Sequence, residues 1–64
     1  MNNMIQNDNL PIAMTVSEVS SLLRVGKNRV YEMIRSGAIY SVRVGRGIRV
    51  PRQAVLDFLS GAHQ

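Results

Sequence analysis

Arg24-Val-Gly-Lys-Asn-Arg-Val-Tyr-Glu-Met-Ile-Arg-Ser-Gly37 reads as one short helix with both of its ends marked. Wound at 3.6 residues per turn over Lys27 to Ser36, it collects Val30, Met33 and Ile34 on one side. Asn28, Tyr31, Glu32 and Arg35 point away from that side, and Lys27 and Arg29 flank the start. Gly26 precedes the helix, and Gly37 follows it where positive φ closes a last turn. Three apolar anchors thus hold a segment whose opposite face offers cationic, amide and phenolic groups. That outward face is expected to be the working surface.

Upstream, Thr15-Val-Ser-Glu18 has the form of a capping box, with Met14 placed to begin a hydrophobic staple. Val16, Val19, Leu22 and Leu23 then form one stripe, with Ser17, Ser20 and Ser21 on the other side. Only Arg24-Val25-Gly26 separates this helix from the next, with Val25 expected to plug the angle between them. Two short amphipathic helices joined in this way predict a helix-turn-helix, whose second helix can enter a DNA major groove.

After Gly37 the periodicity changes. Val42-Arg-Val44 and Ile48-Arg-Val50 alternate apolar and cationic residues, the pattern of a strand with one buried face. Gly45-Arg46-Gly47 is the tip of the hairpin between them. The pattern predicts Val42, Val44, Ile48 and Val50 against the helices, with Arg43, Arg46 and Arg49 outward. Charge protecting an edge strand gives the same pattern, but arginines on a narrow ribbon also suit the minor groove and its phosphates. Pro51 ends the hairpin and presets a helix start. The last helix carries the stripe Ala54, Val55, Phe58 and Leu59, with Leu56 on its shoulder, and Gly61 stops it.

The expected organisation is an Asn- and Gln-rich flexible arm over residues 1–13, one domain over 14–61 and a frayed end over 62–64. Met4, Ile5, Leu10 and Ile12 are apolar enough to lay part of the arm on the domain. The fold class is α+β: a small winged helix-turn-helix with a two-stranded β-hairpin wing and a C-terminal helix.

Charge sharpens the functional reading. The 64 residues carry a net charge of +4, and all eight basic residues lie between Arg24 and Arg52. Glu32 is the one acid in that segment, which is therefore +7. Seven of the eight cations are arginine, the side chain best suited to bidentate and phosphate contacts. A polyanion is the implied partner, with nucleic acid ahead of a merely solvated surface. On the helix, Asn28 can pair with adenine and Lys27 or Arg29 with guanine. Tyr31 can cover the core edge with its ring, donate its hydroxyl to a phosphate, or do both. Arg35 completes the helix set, Arg43, Arg46 and Arg49 make the wing set, and Arg24 and Arg52 are assigned to the DNA backbone.

Other chemistries find little support. With no cysteine there is no disulfide or zinc-thiolate framework. His63 is alone near the chain end, and the four carboxylates are dispersed, so neither an enzyme nor a metal or cofactor site is expected. Gly45-Arg-Gly47 lacks the Lys-Ser/Thr of a phosphate loop. No apolar run has membrane-spanning length and the N-terminus lacks a signal-peptide order, which makes the cytoplasm the expected location.

The string Thr15-Val-Ser-Glu-Val, Leu22-Leu23, Val25, Val30-Tyr31, Ile34-Arg-Ser-Gly37, Val42-Arg-Val-Gly-Arg46, Arg49-Val-Pro-Arg52, Ala54 and Phe58-Leu59 resembles the excisionase-family DNA-binding domain. These are small winged helix-turn-helix modules related to the MerR regulators, and the match covers roughly residues 14–60. The resemblance implies a recognition helix in the major groove, carrying Lys27, Asn28, Arg29 and Tyr31. It also implies a wing carrying Arg43, Arg46 and Arg49 at the adjacent minor groove or backbone. The family often has Gly where this chain has Arg24, a capping Ser at Gly26, Thr at Arg29 and an aromatic at Ile48. Glycine costs only a few tenths of a kcal/mol relative to Ser as a cap, so the helix is expected to persist.

The expected function is double-stranded DNA binding, most concretely as an excisionase of a phage or integrative element. Such a protein binds and bends attachment-site DNA and helps a tyrosine recombinase (an integrase). A small MerR-like transcriptional regulator is the alternative, and a protein-interaction module with a basic surface comes third. The chain is expected to be a monomer in solution that associates with further copies on DNA, nucleoid-associated in a bacterium.

Overall fold

The computed structural model describes residues 10–61, which run β1 (Ala13–Met14), α1 (Val16–Leu23), α2 (Lys27–Arg35), β2 (Val42–Val44), β3 (Gly47–Pro51) and α3 (Arg52–Ser60). Most of the expected arm, residues 1–9, and the frayed end with His63 lie outside the described residues. The strands form one antiparallel sheet in the order β1-β3-β2. The fold is α+β, as expected of a small winged helix-turn-helix, with one strand more than the predicted hairpin.

That extra strand comes from the stretch assigned to the arm. Ala13 pairs with Pro51 and Met14 with Val50. The Arg52 amide donates to the Ile12 carbonyl at 2.8 Å, and Arg52 Nη1 reaches the Leu10 carbonyl at 2.9 Å. Residues 10–13 therefore lie on the domain rather than loose beside it. Two paired residues give no readable alternation, which is why the sequence pattern missed them. Met14, read in the sequence only as the start of a hydrophobic staple, is buried at the end of β1 and joins the core.

The capping box forms as read. Thr15 Oγ1 accepts from the Glu18 amide at 3.1 Å while Glu18 Oε1 accepts from the Thr15 amide at 2.8 Å. Val16 and Val19 are the buried members of α1, and Val30 that of α2; they join Met14, Ile39, Val50 and Val55 in the core. Leu22, Leu23, Val25, Met33, Ile34, Ile48, Ala54 and Phe58 pack around it. A fully buried side chain of this size contributes roughly 1.5–3 kcal/mol, so each of these seven is a large part of what holds a small domain.

The α1–α2 turn is held from inside. Arg24 caps α1 in the left-handed region at φ 61° and ψ 42°. Val25 donates its amide to the Ser20 carbonyl at 3.1 Å, and the Ser20 hydroxyl donates to the Val25 carbonyl. Ser20, read as outward-facing, is thus half-buried and ties the turn. At the far end of α2, the Gly37 and Ala38 amides donate to the carbonyls of Ile34 and Met33, with Gly37 at φ 85°. This Schellman ending fixes where the chain leaves the helix.

The wing departs from expectation in register. Val44 pairs with Gly47, Arg43 with Ile48 and Val42 with Arg49. Directly opposed residues share a face, so Val42 and Val44 lie with Arg49, while Arg43 lies with Ile48 and, two residues on, Val50. A three-residue tip would have opposed Val44 to Ile48 and gathered the apolar set on one face. The observed loop is the two residues Gly45-Arg46, with positive φ at Gly45 (60°) and not at Arg46, as in a type II′ turn suited to strand twist. One residue of slip exchanges the faces. Val42 and Val44 are consequently exposed, at 40% and 55%, and leave the predicted core, as does Leu59 on α3. The helices pack on β3 rather than β2, so neither face of β2 is covered well enough to enforce the alternation.

Three outcomes test this architecture by urea denaturation followed by circular dichroism. Met14→Ala should cost about 2–5 kcal/mol, enough to unfold much of the population. Val44→Thr should stay within about 0.5 kcal/mol, since the hydroxyl meets water; a larger loss would indicate the three-residue-tip register. Arg24→Gly should stabilise the domain by about 1 kcal/mol, because glycine enters the left-handed region without a Cβ penalty.

Candidate nucleic-acid interface

α2 begins at Gly26, whose extended backbone (φ −70°, ψ 158°) supplies no side-chain cap to the helix amides. Lys27, Asn28, Arg29, Tyr31, Glu32 and Arg35 are all exposed, whereas Val30 is fully buried and Met33 and Ile34 are half-buried. The turn and the Schellman ending fix the helix at both ends, so its polar face is held outward by packing on the other side. Asn28, Glu32 and Arg35, at i, i+4 and i+7, form the middle of that face. Arg29 Nη1 lies 3.8 Å from Glu32 Oε1, and both side chains remain mostly in solvent. Such an exposed pair is worth only about 0–1 kcal/mol, so it orients the two groups more than it stabilises the fold. Arg29, Glu32, Arg35 and Ser36 rim a shallow depression over Met33.

Tyr31 is 43% exposed, so part of the residue packs on the domain and part meets solvent.

On the wing, Arg43 and Arg46 are exposed, Arg46 at the turn. Arg49 differs. It is half-buried, its Nη1 donates to the Ile48 carbonyl at 3.0 Å, and its guanidinium lies over Gly47. A Cβ at Gly47 would come within 2.7 Å of Arg49 Nη1, so the bare glycine makes room for the arginine. Arg43 and Arg49 leave opposite faces of the ribbon as a result of the register. The wing thus presents cations on both faces and at its tip, rather than as the single outward row expected.

Arg24, in its left-handed cap, is exposed beside the start of α2. Arg52 is not equivalent to it. Its guanidinium is turned toward the N-terminal stretch, where Nη1 donates to the Leu10 carbonyl and so tethers residues 10–13 to α3. One exposed residue beside the wing went unread in the sequence, and another was read as buried. Tyr40, 67% exposed, precedes β2 by two residues, and Val44 stands beside the tip. The signal for Tyr40 was present, an aromatic outside any apolar stripe.

Among the described residues, no group of His, Cys, Asp and Glu could hold a metal ion, and no helix is long and apolar enough to cross a membrane.

Comparison with known proteins agrees with this geometry. A family model described as a helix-turn-helix domain matches residues 13–63. An excisionase of Streptomyces ambofaciens is 41% identical over 49 residues, covering 77% of this chain and 79% of that protein. A Mycobacterium tuberculosis protein with a provisional DNA-binding name is 44% identical over 50 residues, covering 78% of this chain. A Saccharopolyspora erythraea protein provisionally named an excisionase is 40% identical over 47 residues, covering 73% of this chain. The chain spans 64% of the length of the M. tuberculosis relative and 48% of the Saccharopolyspora one. No solved structure matches it. The family match over nearly the whole described domain, and these relatives, place the chain in the helix-turn-helix domain family of the excisionase type.

Proposed function

We propose that this protein binds double-stranded DNA and acts as an excisionase, a non-enzymatic factor that directs a tyrosine recombinase toward excision. The observation that carries the reading is the joint placement of an exposed polar helix and an arginine-bearing wing on one +7 segment. A helix of this width fits the major groove, and a two-stranded ribbon with Arg46 at its turn fits the neighbouring minor groove or backbone. Lys27, Asn28, Arg29, Tyr31 and Arg35 are the proposed helix contacts, and Arg43, Arg46 and Arg49 the wing contacts. The excisionase role is supported by the names of the Streptomyces and Saccharopolyspora relatives.

Arg24 supports the same surface through its backbone. A non-glycine residue in the left-handed region carries strain of order 1–3 kcal/mol, which a glycine would relieve. A cation kept there at that cost is accounted for by a phosphate beside the start of α2.

A domain of this size with one short recognition helix reads few base pairs, so specificity calls for several copies on one site. The free edge of β2 argues against tight association off DNA. Pairing two such edges about a two-fold axis brings arginines of the two copies close together, which is unfavourable. The protein is therefore taken as a monomer in solution that gathers on attachment-site DNA and bends it for the recombinase.

Mobility-shift titration on duplex DNA tests the central claim. With about six phosphate contacts, log affinity against log salt should fall with a slope of about −5, and absence of duplex binding at low salt would overturn the reading. Arg46→Ala should weaken binding and flatten that slope by about 1 while leaving the denaturation midpoint in place. An excision assay with the cognate integrase separates the recombination role from simple transcriptional regulation: duplex binding without stimulation of excision would favour the regulator.

A further inference from the structure

From the placement of Glu32 we infer that it is a specificity-determining residue, reading an exposed base amino group in the major groove, that of cytosine first. The inference rests on the DNA-binding reading above and deepens it.

Glu32 is the single acid among the eight basic residues of the segment from Arg24 to Arg52, and it does not sit at the edge of the surface. The buried side of α2 is Val30 with Met33 and Ile34; Glu32 lies across the helix from it, one turn beyond Asn28 and one turn before Arg35. Its side chain is 61% exposed. A carboxylate there faces the phosphate field of any duplex that α2 approaches, and this repulsion weakens binding to every sequence alike. It is not needed by the fold, since an exposed pair with Arg29 is worth about 0–1 kcal/mol.

In the major groove a carboxylate finds donors in the amino groups of cytosine N4 and adenine N6, and only acceptors on guanine and on thymine O4. Glu32 thus rejects most sequences and is compensated where an amino group meets it. Cytosine is favoured over adenine because cytosine offers a donor without the neighbouring N7 acceptor that adenine presents. The neighbouring Arg29 has the geometry to assist. At 3.8 Å from Oε1 it biases the carboxylate's position without a close hydrogen bond, so the acceptor capacity of Glu32 is retained. The ridge Asn28, Glu32 and Arg35 then carries an amide, an acid and a guanidinium, three groups with different base preferences.

The test is selection of binding sites from a random duplex pool, run in parallel with the wild-type protein, Glu32→Gln and Arg29→Ala, each checked for folding by circular dichroism. The wild type should select a motif with one C·G position at which Glu32→Gln loses roughly tenfold in preference for C·G and shifts toward A·T, the pair a glutamine amide reads. Glu32→Gln should also bind unselected duplex several-fold more tightly, having lost the repulsion. Arg29→Ala should keep that position, weakened. An unchanged motif and unchanged affinity for unselected duplex in Glu32→Gln would overturn the inference. So would loss of the same position, read as guanine, in both variants, since Glu32 would then only position Arg29. Failure of the wild type to bind any duplex would instead remove the DNA reading on which the inference stands.

Discussion

β3 has a hydrogen-bonded neighbour on each side, β1 and β2, and its Val50 side chain is fully buried beneath helices packed from α1 and α3. Five residues thus touch both other strands and two of the three helices, and α2 joins them through α1. Through Val50 the strand anchors the helical layer; through the Val44–Gly47 closure it carries the wing; through Pro51 and Arg52 it turns into α3 and holds the N-terminal strand. Because the described core has only seven buried side chains, the register of this strand decides where both halves of the proposed interface stand.

The helix half is fixed by local hydrogen bonds at its two ends. Ser20 and Val25 close the turn before α2, and Met33 and Ile34 accept the amides that end it. Between them the apolar side packs on α1, which leaves the opposite side no choice but solvent. The wing half is less constrained. β2 lies beyond the helical layer, so its side chains are sorted by the turn and not by burial, and the ribbon exposes Val42 and Val44 along with its arginines. The proposed interface thus combines a helix fixed at both ends with a ribbon attached through one strand.

The strained cap at Arg24 and the lone acid Glu32 have the same logic. Each departs from what stability or generic affinity would select: glycine suits the backbone at the first, and a neutral or basic residue would bind any DNA more tightly at the second. Such local departures concentrate at functional surfaces, where the cost is offset by what the residue touches.

The sequence by itself determined the helical elements, the capping box, the Gly37 and Gly61 stops, the existence of the hairpin and the concentration of charge on one segment. These follow from short-range rules: a 3.6-residue period, cap chemistry and glycine at positive φ each act within a few residues. Tertiary structure decided what depends on partners distant in the chain. β1 exists only because Pro51 and Arg52 lie alongside Leu10 to Met14. The faces of the wing depend on a two- rather than three-residue loop, a choice that identical alternation permits either way. Arg52, indistinguishable in composition from Arg24 or Arg46, became a tether because its guanidinium found a backbone carbonyl 42 residues away along the chain.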